Sequence, residues 1–95
     1  MAKTVLVTGS SKGIGASTII KFAQNGYNVV INYLNSFEKA LSLKEYVEKN
    51  FGIKALLIKA DVSKENDVKQ MLEIILANFP TIDCVVNNAA ITQDN

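Results

Sequence analysis

The sequence predicts an α/β protein, a doubly wound parallel sheet with helices on both faces, of which these residues form the first half. Three observations carry that expectation. Short apolar, β-branched runs alternate with amphipathic segments along all 95 residues, giving β-α-β-α-β-α-β with short loops. The glycine-rich stretch Thr8-Gly9-Ser10-Ser11-Lys12-Gly13-Ile14-Gly15 falls at the first strand-to-helix turn. Asn87-Asn88-Ala89-Ala90 ends the fourth strand, at the same edge of the sheet. Right-handed crossovers turn such alternation into a parallel sheet, and the expected strand order is 3-2-1-4.

Each element has its own signal. The run Val5-Leu6-Val7 predicts a strand near Lys3–Thr8, and a helix follows near Gly13–Gln24, where Ala16, Ile19, Ile20 and Ala23 recur at helical spacing. Asn25-Gly26 closes that helix, because both residues tolerate the left-handed cap. Val29-Val30-Ile31 marks a second strand near Asn28–Tyr33, its continuous β-branching suited to burial on both faces. Asn35-Ser36 offers caps for a second helix near Phe37–Asn50, with Phe37, Ala40, Leu41, Tyr46 and Val47 as its apolar side and Gly52 as its stop. Ala55-Leu56-Leu57-Ile58 carries a third strand near Lys54–Ala60. Ser63 is the expected N-cap of a third helix, whose Val68, Met71, Leu72, Ile75 and Phe79 keep to one face. Pro80 ends it, since the residue before a proline is steered out of helical geometry. A fourth strand spans Ile82–Asn87.

Composition narrows the function. Nearly half the residues are apolar and a fifth charged, the balance of an ordinary globular domain. A net charge of +1 gives no electrostatic footprint for nucleic acid or an anionic membrane. With no histidine, the commonest metal ligand and every His-dependent triad are excluded. The single Cys84 stands in an apolar run and reads as a packed thiol; one cysteine forms no internal disulfide, which fits a reducing cytoplasm. No apolar run approaches the ~20 residues of a membrane span, and no signal-peptide pattern precedes the first strand.

The glycine stretch carries the chemistry. Glycine tolerates positive φ and lets a ligand approach the backbone, and the helix that starts there directs free N–H groups and its positive dipole end at an anion. A P-loop would need Gly-Lys followed by Ser or Thr at the helix start, whereas Gly15 is followed by Ala16 and Ser17. A flavodoxin-like domain shares the alternation without these glycines. In open parallel sheets ligands bind beyond the strands' carboxyl ends, at the switch point between strands 1 and 4. The glycine turn, Asn32–Ser36, Asp61-Val62 and Asn87–Ala90 all fall on that rim.

Thr8-Gly9-x-x-x-Gly13-x-Gly15, Ala60-Asp61-Val62 and Val86-Asn87-Asn88-Ala89-Ala90-Ile91-Thr92 together resemble the short-chain dehydrogenases/reductases, and most closely their 3-oxoacyl-acyl-carrier-protein reductase branch, over the whole chain. The resemblance implies a Rossmann fold and a nicotinamide dinucleotide along the rim. On it, Gly9, Ser10, Ser11, Lys12, Gly13, Ile14 and Gly15 hold the ribose and pyrophosphate. Asp61 and Val62 meet the adenine, with the carboxylate accepting from its amine. Asn88, Ala89 and Ala90 line the nicotinamide side; Ala90 departs from the glycine usual in the family. Asn87 reads as a structural tie between strands.

Residue chemistry at the end of strand 2 selects the cofactor. NAD enzymes of this architecture place an acid there for the ribose 2′-OH, yet no Asp or Glu occurs between Gly15 and Phe37. Asn32, Tyr33, Leu34, Asn35 and Ser36 occupy that corner, and Lys12 reaches toward it. Neutral donors and a lysine accept a 2′-phosphate that a carboxylate would repel, so the expected cofactor is NADP.

The resemblance further implies carbonyl reduction by hydride transfer in fatty acid biosynthesis, a small or acyl-carrier-bound carbonyl substrate, and a homo-oligomeric parent protein. Its catalytic Tyr-x-x-x-Lys pair and serine follow the second signature and have no counterpart in these 95 residues. Tyr46 and Lys49 are three apart rather than four and lie far from the rim; Tyr46 reads as core and Lys49 as solvated. No catalytic residue is therefore assigned, and residues 1–95 are expected to be the N-terminal part of a single dinucleotide-binding domain, inactive alone. Were strand 4 the last, Val85-Val86 would leave an exposed sheet edge, an aggregation hazard. The competing expectation is a non-catalytic nucleotide-binding or assembly module of this length.

Overall fold

Seven elements alternate along the chain: β1 (Thr4–Val7), α1 (Gly13–Gln24), β2 (Asn28–Tyr33), α2 (Phe37–Phe51), β3 (Ala55–Lys59), α3 (Glu65–Asn78) and β4 (Cys84–Val86). They belong to a computed structural model that describes residues 2–88. The strands form one parallel sheet in the order β3-β2-β1-β4, as expected of the first half of a Rossmann-type sheet.

Strand side chains alternate between two cores. Val5, Val7, Val29 and Ile31 face α1 and α2, which contribute Ile19, Ala23, Ala40, Leu43 and Val47. Leu6, Val30 and Ile58 face α3, meeting Met71, Ile75 and Phe79. Cys84 is half-buried against the first of these cores. Both faces of β1 and β2 are thus covered, which is why their sequences are continuously apolar.

The termini follow local chemistry, with two departures. Gly26 (φ +86°) and Gly52 (φ +68°) take the left-handed backbone after α1 and α2. Phe79 is extended, as Pro80 demands. Ser63, however, is not the N-cap of α3: Lys64 holds that position without a side-chain bond, while the Ser63 hydroxyl and N–H donate to Asp61 Oδ1 at 2.6 and 3.0 Å. Asp61 wins the local competition because its carboxylate forms a tight turn two residues on. Ser36 likewise stands at the α2 N-cap with no side-chain bond.

Tyr46 is the second departure. It is 48% exposed, not core, and packs edge-to-face on Phe51. The buried stripe of α2 is Ala40, Leu43 and Val47, and Tyr46 lies beside it. β4 is the edge strand, and its Val85, in register with Leu6, is 58% exposed.

Candidate cofactor site

At the carboxyl ends of the strands lies a cleft of about 520 Å³. Its walls come from four segments: Gly9, Ser11 and Lys12 of the turn after β1; Asn32 and Leu34–Ser36 at the end of β2; Ala60–Ser63 after β3; and Asn88 after β4. Sequence-expected residues from every segment therefore converge on one space, though not all of them face it. Ser10 is fully buried behind the turn, and Gly15 is buried beneath it. Gly13 and Ile14 face outward along α1, where Ile14 is 77% exposed. Tyr33 turns its ring toward Phe37 and brings only its backbone to the rim, its carbonyl accepting from Ala60 N–H. Ala89 and Ala90 lie outside the described residues.

The turn is held from both sides. Gly9 adopts φ +59°; its N–H donates to Asn32 Oδ1 at 2.8 Å, and its carbonyl accepts from Asn88 Nδ2 at 3.0 Å. Ser10 N–H donates to the Asn32 carbonyl at 2.9 Å, and its hydroxyl oxygen accepts from Asn32 N–H at 3.1 Å. Thr8 Oγ1 donates to Asn87 Oδ1 at 3.3 Å, so Asn87 ties β4 to β1. Under the turn there is no space: a Cβ on Gly15 would meet Gly9 O at 2.6 Å and Ser10 Cα at 2.7 Å. Gly13 differs, with φ +62° and open space around the position a Cβ would take.

The chemistry of this arrangement is that of an anion site. α1 begins with no side-chain cap and no acid in its first turn. Among the described residues nothing accepts from the N–H groups of Ser11 through Gly15, so the helix end presents unsatisfied donors and a positive dipole. Asp61 stands across the cleft, its carboxyl held below the ordinary carboxylate range by the Ser63 hydroxyl and N–H, hence ionised at neutral pH and able to accept from an amine. No group of His, Cys, Asp and Glu among the described residues suits a metal, and no helix there is long and apolar enough to cross a membrane.

The sequence places Asn32 on the rim with Tyr33–Ser36 but does not reveal its bonds to the glycine turn. The available signal was a polar residue directly following Val29-Val30-Ile31 in a strand expected to be covered on both faces; in the fold it is 2% exposed.

The short chain dehydrogenase family model matches residues 3–95. The chain belongs to that family. It is 42% identical over its full length to 3-oxoacyl-[acyl-carrier-protein] reductase FabG of Staphylococcus epidermidis and likewise to that of Staphylococcus aureus, and spans 38% of the length of each. Among solved structures, L-sorbose reductase from Gluconobacter frateurii, complexed with NADPH and L-sorbose, superposes with a TM-score of 0.86 at 28% identity, covering 92% of this chain and 33% of that one. A short-chain dehydrogenase/reductase from Serratia marcescens gives 0.86 at 32% identity, covering 90% and 35%. As a short-chain dehydrogenase, the chain is of an oxidoreductase family that binds nicotinamide cofactors.

Proposed function

We propose that residues 1–95 are the N-terminal part of a single NADP-binding domain, in an enzyme that reduces a 3-oxoacyl thioester or a similar small carbonyl. The observation that carries this reading is the uncapped, acid-free start of α1 opening on a cleft whose β2 corner holds no carboxylate. The family match, the similarity to 3-oxoacyl reductases and the NADPH complex of a structural neighbour support it.

The residues present fit the cofactor. Backbone N–H groups of Ser11–Gly15 would take the pyrophosphate; Lys12, Asn35 and Ser36 would take the 2′-phosphate; Asp61 and Val62 would meet the adenine; and Asn88, with Ala89 and Ala90, would border the nicotinamide. The bound cofactor supplies the hydride. The chain's own residues orient it: the two asparagines fix the Gly9 peptide, and Val62, packed on the α3 side, gives the ring an apolar wall. Residues 1–95 contain no Tyr-x-x-x-Lys pair, and on this reading they bind cofactor without turning over by themselves. The working location is the cytoplasm.

The test is calorimetric titration of the intact gene product with NADPH and NADH. NADPH should bind more tightly, and Tyr33→Asp, which puts an acid at the end of β2, should shift the preference toward NADH. Equal affinities in the wild type would refute the choice of cofactor.

A further inference from the structure

We infer that Asn32 is a positioning residue of the cofactor site: its side-chain amide clamps the Gly9 peptide onto the end of β3 and so sets the angle at which the glycine turn meets an anion. The inference rests on the proposed cofactor reading.

The geometry is specific to a primary amide. Asn32 Oδ1 accepts from Gly9 N–H at 2.8 Å, while Nδ2 donates to the carbonyls of Ile58 at 3.3 Å and Ala60 at 3.2 Å. Only this orientation puts the acceptor toward an N–H and the donors toward carbonyls, so the surrounding network fixes the flip. Its backbone is engaged by Ser10 on both its N–H and its carbonyl. One buried side chain thus links β2, the end of β3 and the glycine turn, and the N–H groups beyond Ser10 inherit their direction from it. Two residues that seem natural replacements fail for opposite reasons. Leucine has a similar volume but takes away the acceptor of the Gly9 N–H and a donor from each of the Ile58 and Ala60 carbonyls in a buried place. Aspartate keeps the acceptor for Gly9 but turns an anionic oxygen on two carbonyl oxygens. The acid that selects NAD therefore has no place at position 32.

The experiment titrates NADP⁺ and NAD⁺ into the intact gene product and its Asn32→Asp and Asn32→Leu variants at about pH 5.5 and about pH 8.5, conditions that bracket the titration of a buried carboxyl. Far-UV circular dichroism on the same samples lets affinity be counted per folded molecule. Asn32→Asp should bind both dinucleotides about tenfold or more weakly at the higher pH, the loss expected when a hydrogen bond at a fixed site is broken. The ratio of the two affinities should not change. At the lower pH the gap to wild type should narrow, because a protonated carboxyl supplies a donor to one carbonyl and keeps its acceptor for Gly9. Asn32→Leu should be weakened equally at both. Wild-type affinity in Asn32→Asp, a loss that ignores pH, or loss of the fold at both pH values would each overturn the assignment, the last by making Asn32 a residue of the sheet alone. If those results accompany tight NADP⁺ binding by the wild type, the cofactor reading stands without this one; if the wild type binds neither dinucleotide, both fall.

Discussion

Adding a single methyl group at Gly15 tests whether the floor of the glycine turn is built by packing rather than by the ligand. In Gly15→Ala the new Cβ starts 2.6 Å from Gly9 O, 2.7 Å from Ser10 Cα and 2.9 Å from Asn88 Nδ2. Two of these are backbone atoms of a turn bonded on both sides, so no flexible tip can move aside. Opening the closest contact from 2.6 Å to between 3.0 and 3.4 Å needs 0.4–0.8 Å of separation between helix and turn. Overpacking of this kind costs about 1–3 kcal/mol, and a strained Asn88–Gly9 bond adds about 1 kcal/mol. The helix propensity of alanine returns at most about 1 kcal/mol. The net loss of about 1–3 kcal/mol corresponds to a fall in Tm of roughly 2–12 °C for a domain of about 150–250 residues. Because the shift opens the turn proposed to hold the phosphates, NADPH affinity should fall about tenfold or more, the equivalent of one charge-assisted hydrogen bond. Thermal melting by circular dichroism and NADPH fluorescence titration read the two effects. For the melting readout Gly13→Ala separates packing from backbone strain: its Cβ meets nothing within 4 Å, and only the left-handed φ costs it about 1–2 kcal/mol. A Gly15→Ala protein that melts and binds like wild type would refute the packing argument.

Gly13→Val should weaken cofactor binding while most of the far-UV helix signal survives, since a branched side chain strains the left-handed backbone (φ +62°) that directs the N–H groups at the start of α1. Acid stability should follow Asp83, whose carboxyl is held below its ordinary range by the Thr4 N–H and the Thr81 hydroxyl. With its folded pKa depressed, its contribution is complete above the unfolded carboxylate range of about pH 4 and is lost as pH falls through the lower folded value. Asp83→Asn should therefore flatten the acid limb of the stability–pH curve, and an unchanged limb would exclude Asp83 as its source. Residues 1–95 made alone should not oxidise NADPH in the presence of a 3-oxoacyl thioester; turnover above a no-protein control would mean that they contain a proton donor.

The strand order and the helix spans were legible because the apolar periods are unambiguous: continuous runs in β1 and β2, and i, i+4 recurrences in α1 and α3. Where the reading failed, size or proximity misled it. Tyr46 is large and adjoins Val47, so it passes for core; yet residues 46 and 47 differ by about 100° around a helix, and only one of them can face the sheet. Leu43 holds the buried place between Ala40 and Val47 and was the residue that periodicity should have chosen. Ser63 precedes α3 and is a good cap by type, but Asp61, two residues earlier, offers a charged acceptor that engages it first.

The glycine signature posed a different problem, because one motif performs two jobs that sequence cannot separate. Read as a string, Gly9 through Gly15 is a single phosphate loop. In the fold, Gly9 and Ser10 direct their hydrogen-bonding groups inward to Asn32 and Asn88, and Gly15 is a glycine because the same turn lies against it. Only the N–H groups from Ser11 onward remain for a ligand. The inward half explains the outward one: a turn without side-chain caps keeps unsatisfied donors in place only if something else fixes its backbone. The two asparagines, from β2 and from beyond β4, are that support. They come from strands on either side of β1, so the turn is braced across the switch point at which the cleft opens. Parallel order, asparagine placement and a bare helix start are therefore parts of one arrangement, in which the sheet, rather than the loop, sets the direction of the N–H groups proposed to receive an anion.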